Sequence, residues 1–250
     1  MSIVYKRWQG RTGNKIMQYL HARAYAEQHG AELCTPPWIG QKIFDLHERD
    51  FGAGLPLVQD WELNNQLDIE VDGYALHQAC AIYTKAQAQA WLPFRPEVAE
   101  KLRSMPPFPD HIFHKRRGDY CYLDYVVVSD ESYVIAARKL GYNPDDFTSI
   151  EEEGSEQRPQ PFETELSFLP DFWRLMQAKV LFRSNSTFGW AAALLGNAEH
   201  LYSPDQTGMP HLNKRTDPVG PLNVPFVEGN WPAIASGFDH CTDLHLKGEL

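Results

Sequence analysis

Basic residues are in deficit: 23 Lys and Arg stand against 33 Asp and Glu, for a formal net charge of −10. Bulk binding to nucleic acid or to an anionic membrane asks for the opposite excess, so both are excluded, and an anion could be held only by a local basic cluster. Cysteine is scarce as well. Cys34, Cys80, Cys121 and Cys241 are scattered with no CxxC pair, which excludes a zinc ribbon or a redox dithiol and fits reduced thiols in a reducing compartment. No stretch approaches the roughly 18 unbroken apolar residues of a membrane span. Lys6, Arg7, Arg11, Lys15 and Arg23 occupy the segment where a secretory signal needs an apolar run. A cytoplasmic, soluble protein without a membrane span is therefore expected. Internal repeats and coiled-coil heptads are also missing.

What is present is a globular composition, 43% hydrophobic and 22% charged over 250 residues, with seven Trp, eleven Tyr and thirteen Phe. That length suits one large domain or two small ones. Residues 3–6 read as a strand entering the glycine-rich turn Gly10 to Asn14. A helix pattern follows on Ile16, Met17, Leu20, Ala24 and Tyr25, stopped at His29-Gly30, and residues 31–34 make a second strand. Strand, turn, helix, strand is a βαβ unit and predicts a parallel sheet. Residues 38–65 are turn-rich and carry no periodicity; residues 68–71 alternate as a strand, and 84–92 form an Ala-rich helix. Pro93, Pro96, Pro106, Pro107 and Pro109 then mark a boundary between lobes 1–105 and 106–250.

The second lobe repeats the α/β alternation. Strands are expected at 111–114, 125–128, 180–183 and 200–203, with helices from Ser129 to Leu140 and at 169–178 and 188–195. The acidic, proline-containing stretch 143–161 reads as a surface loop or a partly disordered segment. The fold class is thus α/β, two small Rossmann-like lobes with parallel sheets.

Four segments could carry chemistry. His114-Lys115-Arg116-Arg117-Gly118-Asp119 closes a strand, the end at which open α/β sheets place ligands. Two guanidinium forks there suit phosphate oxygens, although a strand alternates its side chains and Arg116 and Arg117 share a face only if it ends at Gly118. Ser184-Asn185-Ser186-Thr187 lies between a buried strand and an apolar helix; its hydroxyls are either ordinary N-caps or the rim of an anion site at free N–H groups. Gly10-x-x-Gly13-Asn14 is a weak phosphate-loop signal, lacking a third glycine or a lysine. Ser129-Asp130-Glu131 either accepts from a ribose or guanine edge or caps its own helix.

Taken in order, Gly10-Arg-Thr-Gly-Asn14 with Gln18-Tyr19, then His114-Lys-Arg-Arg-Gly-Asp-Tyr120, then Ser184-Asn-Ser-Thr-Phe-Gly-Trp190 resembles the α-1,2-fucosyltransferases of glycosyltransferase family 11. Asp72-Gly73-Tyr74 and residues 125–130 are similar to two shorter segments of that family, and Cys34-Thr-Pro-Pro-Trp38 is similar to the related protein O-fucosyltransferases. The resemblance implies a GT-B architecture with the donor between two lobes. It also implies GDP-fucose as donor substrate, a glycan or glycoconjugate acceptor, inversion at the anomeric carbon, and no metal or other cofactor.

On the same footing, the C-terminal lobe would bind the GDP-sugar and the N-terminal lobe the acceptor. Arg116 would bind the pyrophosphate, and Arg117 would support it or the local fold. His114 and Asp130 would lie near the guanosine, and Ser184, Asn185, Ser186 and Thr187 would receive phosphate or guanine. Gly13 and Asn14 would face the donor from the first lobe. The departing diphosphate gathers charge as its bond to the sugar breaks, and Arg116 with a helix N-terminus could stabilise it without metal. Asp119 is the nearest carboxylate to serve as base, or it ties down its own loop. The chain departs from the family in the short spacing from Tyr120 to Tyr125, and in Gly189 and Ala191, which stand where bulkier or hydroxyl residues are common. Transfer of another GDP-sugar, or a non-catalytic nucleotide-sugar- or glycan-binding module, are the alternatives.

Overall fold

The computed structural model describes residues 1–50, 54–76, 82–117, 127–151, 166–205 and 221–230. The chain divides into two units, Met1–Met105 and Pro106–Leu250, each built on its own sheet.

The first unit contains β1 (Ser2–Tyr5), α1 (Thr12–Gln28), β2 (Glu32–Cys34), α2 (Gly40–Ile43), β3 (Leu57–Gln59), β4 (Ile69–Asp72), α3 (Lys85–Trp91) and α4 (Pro96–Arg103). The sheet order is β2-β1-β4-β3 and every neighbouring pair is parallel. Ile3, Val4, Leu33, Ile69 and Val71 are buried in the strands, beneath Ile16, Met17, Leu20 and Ala24 of α1. The helix stops where expected. Gly30 takes φ +61°, and the Ala31 N–H returns to the Ala26 carbonyl at 2.8 Å, the closure that a left-handed residue after a helix permits.

Two segments differ from the sequence reading. β3 lies in the stretch 38–65 that shows no periodicity, because it has only three residues and none is fully buried. The proline-dense stretch after residue 93 contains α4, with Pro96 in its first turn. A proline there costs nothing, since the N–H it lacks has no partner within the helix.

The second unit contains β5 (His111–Lys115), α5 (Asp130–Lys139), β6 (Thr148–Glu151), α6 (Leu169–Gln177), β7 (Val180–Phe182), α7 (Thr187–Leu195), β8 (His200–Pro204) and β9 (Phe226–Glu228). The order is β6-β5-β7-β8-β9, parallel except for the antiparallel pair β8-β9. The core is aromatic: Phe113 stacks on Phe147 at 4.1 Å, and Phe182 stacks on Tyr202 at 4.5 Å. Within the stretch read as a loop, Thr148–Glu151 forms the edge strand β6. Only Ile150 of its four residues is buried, so no apolar run exists to reveal it. Of the strand expected at 125–128, Val127 and Val128 are described; both are buried, and Val128 bridges to Leu222. Among the described residues no helix is long and apolar enough to cross a membrane.

The connections set where a ligand can enter. From β5 the chain passes through α5 to β6 on one side, then returns to build β7 and β8 on the other. Such a reversal opens a crevice outside the carboxyl ends of the two strands that flank it, β5 and β7.

Candidate functional site

His114 and Ser184 meet at that reversal. His114 is the penultimate residue of β5 and is buried. Its Nδ1 lies 3.2 Å from Ser184 Oγ and 3.5 Å from the Ser184 backbone nitrogen. The N–H can only donate, so Nδ1 is the acceptor and Nε2 carries the ring proton. Burial pushes the imidazole pKa down to about 3, and the charge of Arg183 adds to the shift. The ring is therefore neutral at physiological pH. A base whose folded pKa is lowered contributes stability that is complete above its unfolded value near 6.5 and is lost as pH falls below it. Acidification from pH 7 to 5.5 is expected to cost about 1 kcal/mol through this group. Urea unfolding of the native chain and of His114→Asn across that range checks it, and equal slopes would contradict it.

The turn after β7 is held by its own hydroxyls. Ser184 Oγ accepts from the Ser186 N–H at 3.2 Å while facing His114, and Ser186, the N-cap of α7, accepts from the Phe188 N–H at 3.2 Å. Ser184, Asn185 and Ser186 are buried and Thr187 is half-buried. The capping role is thus real. It shapes a turn whose helix start adjoins the crevice, where a helix dipole favours an anion. Gly189, one turn into α7, lies directly against the His114 ring, and a β-carbon at this position would overlap it.

The cations that follow, Lys115 at the end of β5 and Arg117 beyond it, pair with Asp130. Lys115 Nζ lies 2.6 Å from Asp130 Oδ1, and Arg117 donates to Asp130 at 2.8 Å and to the Val128 carbonyl at 2.5 Å. The Lys115 hydrogen bond, with Arg117 nearby, holds the Asp130 carboxyl below the usual range. Arg117 also faces Glu151 of β6 at 3.8 Å. Asp130, at the first position of α5, ends up as the anchor for two cations, with Ser129 as N-cap. Arg116 follows the last residue of β5 and is half-buried. Gly118 and Asp119 lie outside the described residues.

Gly13 and Asn14 belong to the first unit, in the first turn of α1. The Asn14 amide packs over Gly10, whose φ of +69° and absent β-carbon both require glycine. Gln18 exchanges two hydrogen bonds with the Gln9 backbone, at 3.0 and 2.8 Å. The buried Asp72 accepts from Gln9 at 2.6 Å and from Arg7 at 3.0 Å, which ties the glycine-rich turn to the end of β4.

One residue escapes the sequence reading. Arg183 follows β7 and is 1% exposed. Its Nε donates to Asn230 Oδ1 at 2.8 Å and its Nη1 to the Ser184 carbonyl at 2.8 Å. The available signal was a lone arginine ending the apolar run Val180-Leu-Phe, directly before the small polar turn. Among the described residues no group of three His, Cys, Asp or Glu side chains could hold a metal ion.

No protein-family model and no curated protein matches the chain. Solved structures do. A crystal structure of NodZ α-1,6-fucosyltransferase soaked with GDP-fucose is 13% identical with a TM-score of 0.56, covering 91% of this chain and 99% of that one. The fucosyltransferase NodZ from Bradyrhizobium, in its selenomethionine form, gives 12% identity and a TM-score of 0.58, covering 91% and 98%. The chain thus shares with NodZ a GT-B-like α/β fold dominated by parallel strands.

Proposed function

We propose that the protein is a glycosyltransferase that moves fucose from GDP-fucose to a glycan hydroxyl, with inversion and without a metal. The observation that carries this reading is the meeting of His114 with the Ser184–Thr187 turn at the strand reversal. These are two segments far apart in sequence, and each resembles a fucosyltransferase donor motif. The GT-B-like fold shared with a fucosyltransferase supports it. In this reading Arg116 and the start of α7 take the diphosphate, and their charge is complementary to the leaving group as the bond to the anomeric carbon breaks. Inversion in one step needs a base for the acceptor hydroxyl, and Asp119 is the proposed candidate. Gly13 and Asn14 are proposed to serve the same donor from the first lobe, and Asp130 to orient the guanosine side through Lys115 and Arg117. The α-1,2 linkage follows from the family 11 resemblance and a cytoplasmic location from the cysteine usage.

Donor hydrolysis and transfer measured with GDP-fucose, GDP-mannose and UDP-sugars, each with EDTA, test the proposal. Turnover is expected with GDP-fucose and is expected to survive EDTA. Preference for another GDP-sugar would change the donor, and loss of turnover in EDTA would reject the metal-free chemistry.

A further inference from the structure

A buried guanidinium needs an opposite charge or a full set of acceptors, because burial removes the water that stabilised it. Arg183 has neither among the described residues. Nε is satisfied by the neutral amide of Asn230 and Nη1 by the Ser184 carbonyl, while Nη2 is buried without a hydrogen-bond partner. Burial pushes its pKa down to about 9, so the group is still a cation at neutral pH. Its neighbours do not cancel the charge, since the His114 imidazole is neutral and the seryl hydroxyls carry none. The cation lies behind the turn that starts α7, and that helix is nine residues long with its positive end at the same turn. Asn230 in turn donates to the Trp190 carbonyl at 3.3 Å, so the guanidinium holds the turn before α7 directly and the first turn of α7 through Asn230.

We infer that Arg183 is a positioning residue for an anionic diphosphate. It braces the Ser184–Ser186 turn and leaves a buried positive charge whose counter-ion is the ligand. The inference rests on the proposed nucleotide-sugar reading and adds a requirement to it: charge behind the helix start, and not only the half-buried Arg116 that follows β5, sets affinity for the diphosphate. An arginine kept only for packing would instead be best partnered by a carboxylate.

The test is calorimetric titration of GDP into the full chain and into Asn230→Asp and Arg183→Met, with guanosine as the uncharged control and nucleotide-free melts of all three. Asn230→Asp keeps the shape of the side chain and gives the guanidinium a permanent partner. It gives up the hydrogen bond to the Trp190 carbonyl, so the readout is selectivity: GDP binding is expected to weaken at least about tenfold, with guanosine unchanged within about twofold. Arg183→Met removes the charge at similar length and is expected to weaken GDP in the same selective way. If Arg183→Met does not fold, Asn230→Asp decides alone. GDP affinity unchanged in Asn230→Asp, or a lower melting temperature with GDP and guanosine weakened alike, overturns the inference. A native chain that binds no GDP fails earlier, at the proposed function itself.

Discussion

Arg116→Ala is expected to lower the rate of donor cleavage by about 10²–10³, the usual effect of removing one charged or hydrogen-bonding group aimed at a developing anion. GDP should at the same time lose most of its power to stabilise the fold. The neighbouring substitution makes the contrast. Arg117 holds the Val128 carbonyl, Asp130 and Glu151, so Arg117→Ala should cost about 1–3 kcal/mol of stability through lost charge-assisted hydrogen bonds. Its effect on GDP affinity should be smaller than that of Arg116→Ala. Denaturant unfolding, together with single-turnover hydrolysis of GDP-fucose, separates the two. A rate loss in Arg117→Ala equal to that in Arg116→Ala would contradict this division of labour between the two arginines.

Gly189→Ala is expected to destabilise, although glycine to alanine inside a helix ordinarily gains about 0.5–1 kcal/mol. The new methyl group would fall on the His114 ring. That ring cannot swing aside, for it is buried, tied to Ser184, and faces Phe188 at 6.0 Å. Overpacking of a closed site costs about 1–3 kcal/mol, which outweighs the helix term. The displaced imidazole would also pull on the Ser184 turn, so GDP affinity should fall with stability. Urea unfolding and GDP titration of the variant check both, and a net gain in stability would show that the site yields freely.

The same contact explains a departure visible in the sequence. Residue 189 is a glycine where the resembled family commonly has more bulk, and here its missing side chain makes room for a buried histidine. The two donor-like segments were legible because each joins an apolar strand to small or charged residues at a turn. Their meeting was legible only as order along the chain; the strand order that brings β5 beside β7 is a long-range pairing without a local signature. Asp130 shows the reverse case. From sequence it could cap a helix or face a ligand, and the side chains that engage it, Lys115 and Arg117, come from the end of a strand and the residues after it, fifteen and thirteen residues earlier. β6 was hidden because one buried isoleucine among three exposed residues has no period. Arg183 was hidden because an arginine is by habit read as surface, and nothing local announces that a strand end will be fully covered.

The most direct test of the account is a melting curve of the full chain with GDP, GDP-fucose and UDP, each in EDTA and in Mg²⁺. A ligand at a hundred times its dissociation constant adds about 2.7 kcal/mol, which in a protein of this size is a rise of at least about 5 °C. The account predicts that rise for GDP and GDP-fucose, not for UDP, and the same in EDTA as in Mg²⁺. No rise with either guanine nucleotide would contradict it.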